Sequence, residues 1–135
     1  MKSGDFQKEY IAFLDGILEK DSGTIKAPIS RKAGSIIERE VSKNGDFSIS
    51  YFEVLKKYEN YTKVKYTLET GRTHQLRVHS KHIGHSILGD TLYGNKSLKI
   101  DRQALHSSKI RFIHPISNIE IIIEASLPKD MQNLN

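Results

Sequence analysis

Between Tyr61 and Glu69 apolar and polar side chains alternate: Val64, Tyr66 and Leu68 take one face, and Lys63, Lys65, Thr67 and Glu69 take the other. A repeat of two residues is that of a strand with one side covered, so this segment predicts a half-buried β-strand. Lys8 to Leu18, apolar with Tyr, Ile and Phe, reads as another strand. Asp21-Ser22-Gly23 marks a turn, and Thr24 to Ile29 predicts a short edge strand with Pro28 near its end. Asn44-Gly45 is a turn signal between two strand-like segments, Glu38 to Ser42 and Phe47 to Lys57. Lys109 to His114 and Glu120 to Ala125 read as strands around Pro115-Ile116-Ser117-Asn118. The period changes once. After Thr70-Gly71, Thr73 to Ile83 fits a short helix with Thr73 as N-cap and Gly84 as its stop; Leu76, Ser80 and Ile83 share a face, with His79 alongside. Gly84 to Gly94 is a glycine-punctuated loop. The pattern predicts an α+β fold, mainly an antiparallel mixed sheet with a few short helices.

Composition narrows the class. A chain of 135 residues, 37% hydrophobic and 27% charged, is one domain able to bury a real core. No apolar run is long enough to span a membrane, and MKSGDFQKEY has no apolar segment of the secretory type, so a cytoplasmic protein with no membrane partner is expected. The absence of cysteine excludes disulfides and thiolate metal sites. A net charge of +5 favours a polyanionic partner such as nucleic acid. Lys63 and Lys65 lie beside Lys56 and Lys57 if those two segments form a hairpin, and such a face either tracks a phosphate backbone or is simply solvated. Arg31 to Ser35 (RKAGS) reads as a basic, flexible loop, and the last residues, 131–135, as a flexible polar tail.

Most of the candidate chemistry lies in residues 67 to 94, TLETGRTHQLRVHSKHIGHSILGDTLYG, with two Arg, four His and four Gly. Polar side chains opening a helix after a glycine leave the backbone N–H groups of Arg72 to His74 free to hold an anion such as an RNA phosphate. Arg72 and Arg77 are not on one helix face, so they do different jobs: one is suited to phosphate, the other to a buried carboxylate. His82 and His85 have a spacing that could ligate zinc, but no acidic residue lies between positions 70 and 89. Histidines that hydrogen-bond backbone and order the loop are expected instead, with no metal and no cofactor. Asp90, alone among acidic residues between Glu69 and Asp101, reads as a cap for loop N–H groups, with a catalytic carboxylate as the alternative. Tyr10, in mid-strand, reads as a core tyrosine with its hydroxyl reaching the edge.

The run LETGRTHQLRVHSKHIGHSILGDTLYG closely resembles the C-terminal signature of the RluA-like family of RNA pseudouridine synthases, with Ser86 where that family usually has proline. KEYIAFLDG is similar to the family's active-site tyrosine strand, DSGTIKAPISR to the segment after it, and RQALHSSKIRFIHP and LPKD to its closing motifs. The resemblance spans about Lys8 to Asp130. It implies an isomerase that converts uridine to pseudouridine in structured RNA, rRNA or tRNA, without cofactor or metal. It places Tyr10 as the active-site tyrosine that stacks on the uracil, Arg77 as the partner of the nucleophilic aspartate, and Leu76 in the uracil pocket. Arg72 and His74 would order the loop or contact RNA, and Arg31 and Lys32 would add to the RNA surface.

The same resemblance implies an absence. The family's nucleophilic aspartate lies in an H-R-L-D motif upstream of the tyrosine strand, and no H-R-L-D occurs in these 135 residues. The chain is therefore expected to be the C-terminal portion of a catalytic domain, inactive alone, with Arg77 deprived of its partner and an open sheet edge that favours self-association. A non-catalytic RNA-binding module of the same fold is the alternative.

Overall fold

A computed structural model describes residues 6–135; the first residues, and the expectation that they carry no secretory segment, lie outside the described residues. The chain forms β1 (Phe6–Asp15), β2 (Ser22–Lys26), β3 (Ile29–Arg31), β4 (Arg39–Val41), β5 (Ile49–Lys57), β6 (Tyr61–Leu68), α1 (Gln75–His82), β7 (Leu105–Ile113), β8 (Glu120–Glu124) and α2 (Lys129–Gln132). A six-stranded sheet runs in the order β2-β5-β6-β1-β7-β8, and β3 and β4 make a separate two-stranded ribbon. Every pairing is antiparallel, so the α+β expectation holds.

The alternation read in β6 is what lets it sit between β5 and β1. Thr62, Val64 and Tyr66 are buried, while Lys63 and Lys65 are only half so. Across the pair, Val64 stands opposite Ala12 and Tyr66 opposite Tyr10. β1 is central and its Ala12, Phe13 and Leu14 are fully buried, so both of its faces are covered there. The lysine cluster forms as the hairpin reading required, with Lys56 opposite Lys63, but acids are interleaved: Lys65 pairs with Glu53 and Lys57 with Asp21.

Two expectations fail. Asn44-Gly45 does turn the chain, but Glu38 to Ser42 does not pair with Phe47 to Lys57: β4 pairs with β3, and Ile29 bridges Asp46. The reason is close packing. A side-chain carbon on Gly45 would overlap the Ile29 backbone, so this glycine lets the two backbones meet. Thr24 to Ile29 splits accordingly into the edge strand β2 and the start of β3, with Ala27 and Pro28 between them. The supposed tail, residues 131–135, is docked: Met131 and Leu134 are buried in the main core, the Tyr61 hydroxyl donates to the Leu134 carbonyl, and Lys63 Nζ donates to Asn135. Two apolar side chains a helical turn apart anchor a segment whose composition is otherwise polar.

Candidate functional site

The segment between β6 and α1 is held by one side chain. Gln75 is 2% exposed; its Oε1 accepts from the Thr70 hydroxyl (2.8 Å) and the Arg72 N–H (3.0 Å), and its Nε2 donates to the Ile49 carbonyl (3.0 Å) and Ser50 Oγ (2.9 Å). A buried amide with all its capacity used fixes where the helix starts. Thr73 is therefore not the N-cap. His74 occupies that position with φ 57° and no capping side-chain bond, and α1 begins at Gln75. Of the N–H groups expected to be free for an anion, that of Arg72 is taken by Gln75. Gly84, with φ +86°, does end the helix, as expected.

α1 lies over the sheet with Leu76, Val78, His79 and Ser80 buried. Arg77 is turned instead to the loop that follows. Its Nε and Nη2 donate to the two carboxylate oxygens of Asp90, each at 2.8 Å, in a bidentate pair. Asp90 is fully buried and its Oδ1 also accepts the Leu92 and Tyr93 N–H groups, so the capping role read for it is present together with an ion pair. Burial pushes the Asp90 carboxyl up. The Arg77 hydrogen bonds and charge, with the Tyr93 and Leu92 N–H groups, outweigh that and hold it below the usual range. The expectation that Arg77 lacks a partner in this chain is thus corrected. The loop from Gly84 to Gly94 folds back along β1, with Leu88 N–H donating to Phe13 and Leu14 bridging Ile87, and so delivers a carboxylate to the helix.

Tyr93 extends the cluster. The Arg77 guanidinium carbon lies 5.1 Å from its ring centre. Its hydroxyl accepts the Arg39 N–H of β4 (2.9 Å) and has its own proton left for Nδ1 of His74 at 2.7 Å. Burial, then the charges of Arg77 and Arg39, lower the His74 pKa, which favours the neutral ring this arrangement uses. His79 is a second locked imidazole: Nε2–H donates to the Ala27 carbonyl, and Nδ1 accepts from Ser50. Its burial lowers its pKa. His85 bonds the Asp15 carbonyl. His79 and His85 thus bond backbone carbonyls, as expected, whereas His74 bonds a side chain.

Tyr10 is half-buried at a bulge in the β1–β7 pairing. Tyr66, its cross-strand neighbour on β6, bonds Ser80 in the turn after Arg77, which puts Tyr10 on the side of the sheet that carries α1. Among the described residues no hydrogen bond joins Tyr10 to Arg77. Leu76 is 4% exposed and packs in the main core, so only a sliver of it faces outward. Arg31 and Arg72 meet with Arg39 and Asp46 around one shallow surface cavity, where Arg72 Nε also donates to the Phe47 carbonyl. Lys32 lines a neighbouring cavity with Arg39 and is paired with Glu38 at 3.2 Å. Sequence reasoning missed Arg39, whose guanidinium donates to the carbonyls of Ile36, Ile37 and Glu38, because nothing local marks a strand residue as a loop clamp.

A profile described as RNA pseudouridylate synthase matches residues 1–82. The chain belongs to the RNA pseudouridylate synthase family. Over 133 residues it is 44% identical to a Bacillus subtilis (strain 168) protein named uncharacterized RNA pseudouridine synthase YjbO, covering 98% of this chain and 47% of that relative. It is 35% identical over 144 residues to ribosomal large subunit pseudouridine synthase D of Escherichia coli (strain K12), covering 96% of this chain and 44% of the relative. Human RNA pseudouridylate synthase domain containing 1 superposes with a TM-score of 0.79 at 27% identity, covering 90% of this chain and 55% of that one. The chain thus spans a little under half the length of these two curated relatives. The chain places both motif segments, β1 with Tyr10 and α1 with Arg77, in one sheet-and-helix unit.

Proposed function

We propose that this chain supplies one wall of an RNA pseudouridine synthase site, converting uridine to pseudouridine in structured RNA, with ribosomal RNA favoured by the name of the E. coli relative. The observation that carries the reading is Arg77: a guanidinium fixed by the buried Asp90, with its side chain 16% exposed, on the side of the sheet that carries Tyr10. A guanidinium presents two edges; Asp90 takes Nε and Nη2, leaving Nη1 for a second carboxylate, the nucleophilic one, which it would keep ionised and oriented. Tyr10 would stack on a uracil drawn out of the RNA, an extrusion that costs a few kcal/mol. Arg31, Arg72 and Arg39, gathered around one surface cavity, would take the phosphates, with Lys32 on the neighbouring cavity that Arg39 also lines, and His74 orders the loop. The work would be done in the cytoplasm. A purely RNA-binding module is not favoured, since the relatives carry synthase names.

The test is tritium release from RNA labelled at uridine C5. The 135-residue chain alone is expected to give none, because it holds no H-R-L-D. The same chain joined to an upstream segment with that motif is expected to turn over. Turnover by the isolated chain, or none from a well-folded joined protein, overturns the reading.

The exposed edge of β8 supports a partner as well. β8 is the last strand of the sheet, all but one of its residues are exposed, and Ile122 and Ile123 point to opposite faces. We propose that the isolated chain self-associates there. Light scattering is expected to give a mass above 15.4 kDa, and Ile123→Lys to return it to that value; a monomeric wild type rejects the edge as the contact.

A further inference from the structure

We infer that Asp90 and Tyr93 are positioning residues for Arg77, a role that goes beyond the reading above and rests on it. A long arginine side chain has many rotamers and, left to itself, would present its charge to a reacting carboxylate from a range of directions. Here the freedom is removed twice over. The Asp90 carboxylate engages Nε and Nη2 together, at 2.8 Å each, and such a bidentate pair fixes rotation within the guanidinium plane. The Tyr93 ring, 5.1 Å from the guanidinium carbon, limits tilt out of it.

Both restraints are themselves anchored. Asp90 is 0% exposed, and its Oδ1 is shared with the Leu92 and Tyr93 N–H groups at 3.1 and 3.2 Å, so the carboxylate cannot turn without breaking the loop. Tyr93 is 5% exposed, and its hydroxyl is held from two sides, by the Arg39 N–H of β4 and by His74 at the start of α1. Neither side chain is placed to touch the substrate, since both are almost fully covered. Their effect on the reaction must pass through Arg77. Orientation at this level matters: displacement of about 1 Å at a reacting group costs on the order of 100-fold in rate.

The test has one arm independent of catalysis. In the 135-residue chain, the Arg77 Nε–H is expected to give a slowly exchanging nitrogen-15 NMR signal, assigned by its loss in Arg77→Lys. Asp90→Asn retains an Oδ1 acceptor for Leu92 and Tyr93, so the loop should hold while the Arg77 signal moves to fast exchange. In the protein that carries the H-R-L-D segment, Asp90→Asn and Tyr93→Phe are expected to lower kcat, by on the order of 100-fold for Asp90→Asn. KM for RNA should stay within about twofold, as for an interaction used in the transition state. Asp90→Glu should recover part of kcat. An unchanged Arg77 signal in Asp90→Asn, an unchanged kcat, or a defect that falls in KM alone overturns the inference. If the wild-type protein forms no pseudouridine, the functional reading falls while the NMR arm still decides whether Asp90 sets Arg77.

Discussion

Arg77→Met is expected to destabilise the fold by about 3–5 kcal/mol, since it strips the cation from a fully buried carboxylate. Methionine keeps the unbranched aliphatic stem and removes the guanidinium, so the packing of the stem changes little and the loss is mainly electrostatic. Urea unfolding should show the midpoint fall with an unchanged slope. The double variant Arg77→Met/Asp90→Asn is expected to recover part of the loss, because it removes the uncompensated ion while Asn Oδ1 still accepts the Leu92 and Tyr93 N–H groups. The pH dependence has a definite sign. In the wild type the Asp90 carboxyl is held below its ordinary value, so its contribution is full above the unfolded pKa and is lost as pH falls. In Arg77→Met the Arg77 contributions are gone and burial is opposed only by the Tyr93 and Leu92 N–H groups, so the folded-state pKa rises relative to the wild type and the variant takes up a proton at higher pH. The stability gap between wild type and variant should therefore close from about pH 7 to about pH 4. A gap that stays constant over this range would show that the pair is not the source of the loss.

Gly89→Ala is expected to cost nearly as much by a different route. Gly89 has φ +78°, and an added methyl would be driven into the Arg102 carbonyl oxygen and lie 2.9 Å from Ile100 Cγ2. The left-handed backbone alone costs an L residue about 1–2 kcal/mol. Overpacking against backbone that cannot move away adds about 1–3 kcal/mol. Gly34→Ala separates the two contributions: its φ is +80° and nothing lies within 4 Å of the added carbon, so only the first applies. Thermal melting of the two variants side by side should place Gly89→Ala well below Gly34→Ala. Equal melting temperatures would mean that the loop yields to the methyl. Because Gly89 immediately precedes Asp90, relief of the clash would also shift the carboxylate that holds Arg77.

The strands that could be read from sequence were those with a long, regular period. β6 is the clearest: its alternation survives as alternating burial, because one face meets α1 and the core. β3 and β4 have three residues each, too few to show a period, and their partnership depends on Gly45 admitting the backbone of Ile29. That is a tertiary contact, and a turn signal alone cannot name the strands it joins. The polar residues of the C-terminal segment hide its docking, although Met131 and Leu134 have the spacing of a buried helical face. At the site, the motif located Arg77 and pointed it at a carboxylate, but the resemblance supplied one carboxylate outside the chain. Asp90 is separated from Arg77 by the whole turn through Gly84 and Gly89, and only the fold brings it within 2.8 Å. The signal the sequence carries is that Asp90 is the only acid between Glu69 and Asp101.

The central place of β1 also sets an order of events in time. One of its neighbours, β7, lies near the other end of the chain: Ser108 bonds the Glu9 carbonyl across 99 residues of sequence. β1 must wait for a strand made later, and contacts of such long range are formed slowly. β6 can cover one edge of β1 well before β7 leaves the ribosome. The other edge, beside Tyr10, stays bare through the intervening translation, which at about 5–20 residues per second lasts several seconds. A pause there would hold open the strand that carries the tyrosine.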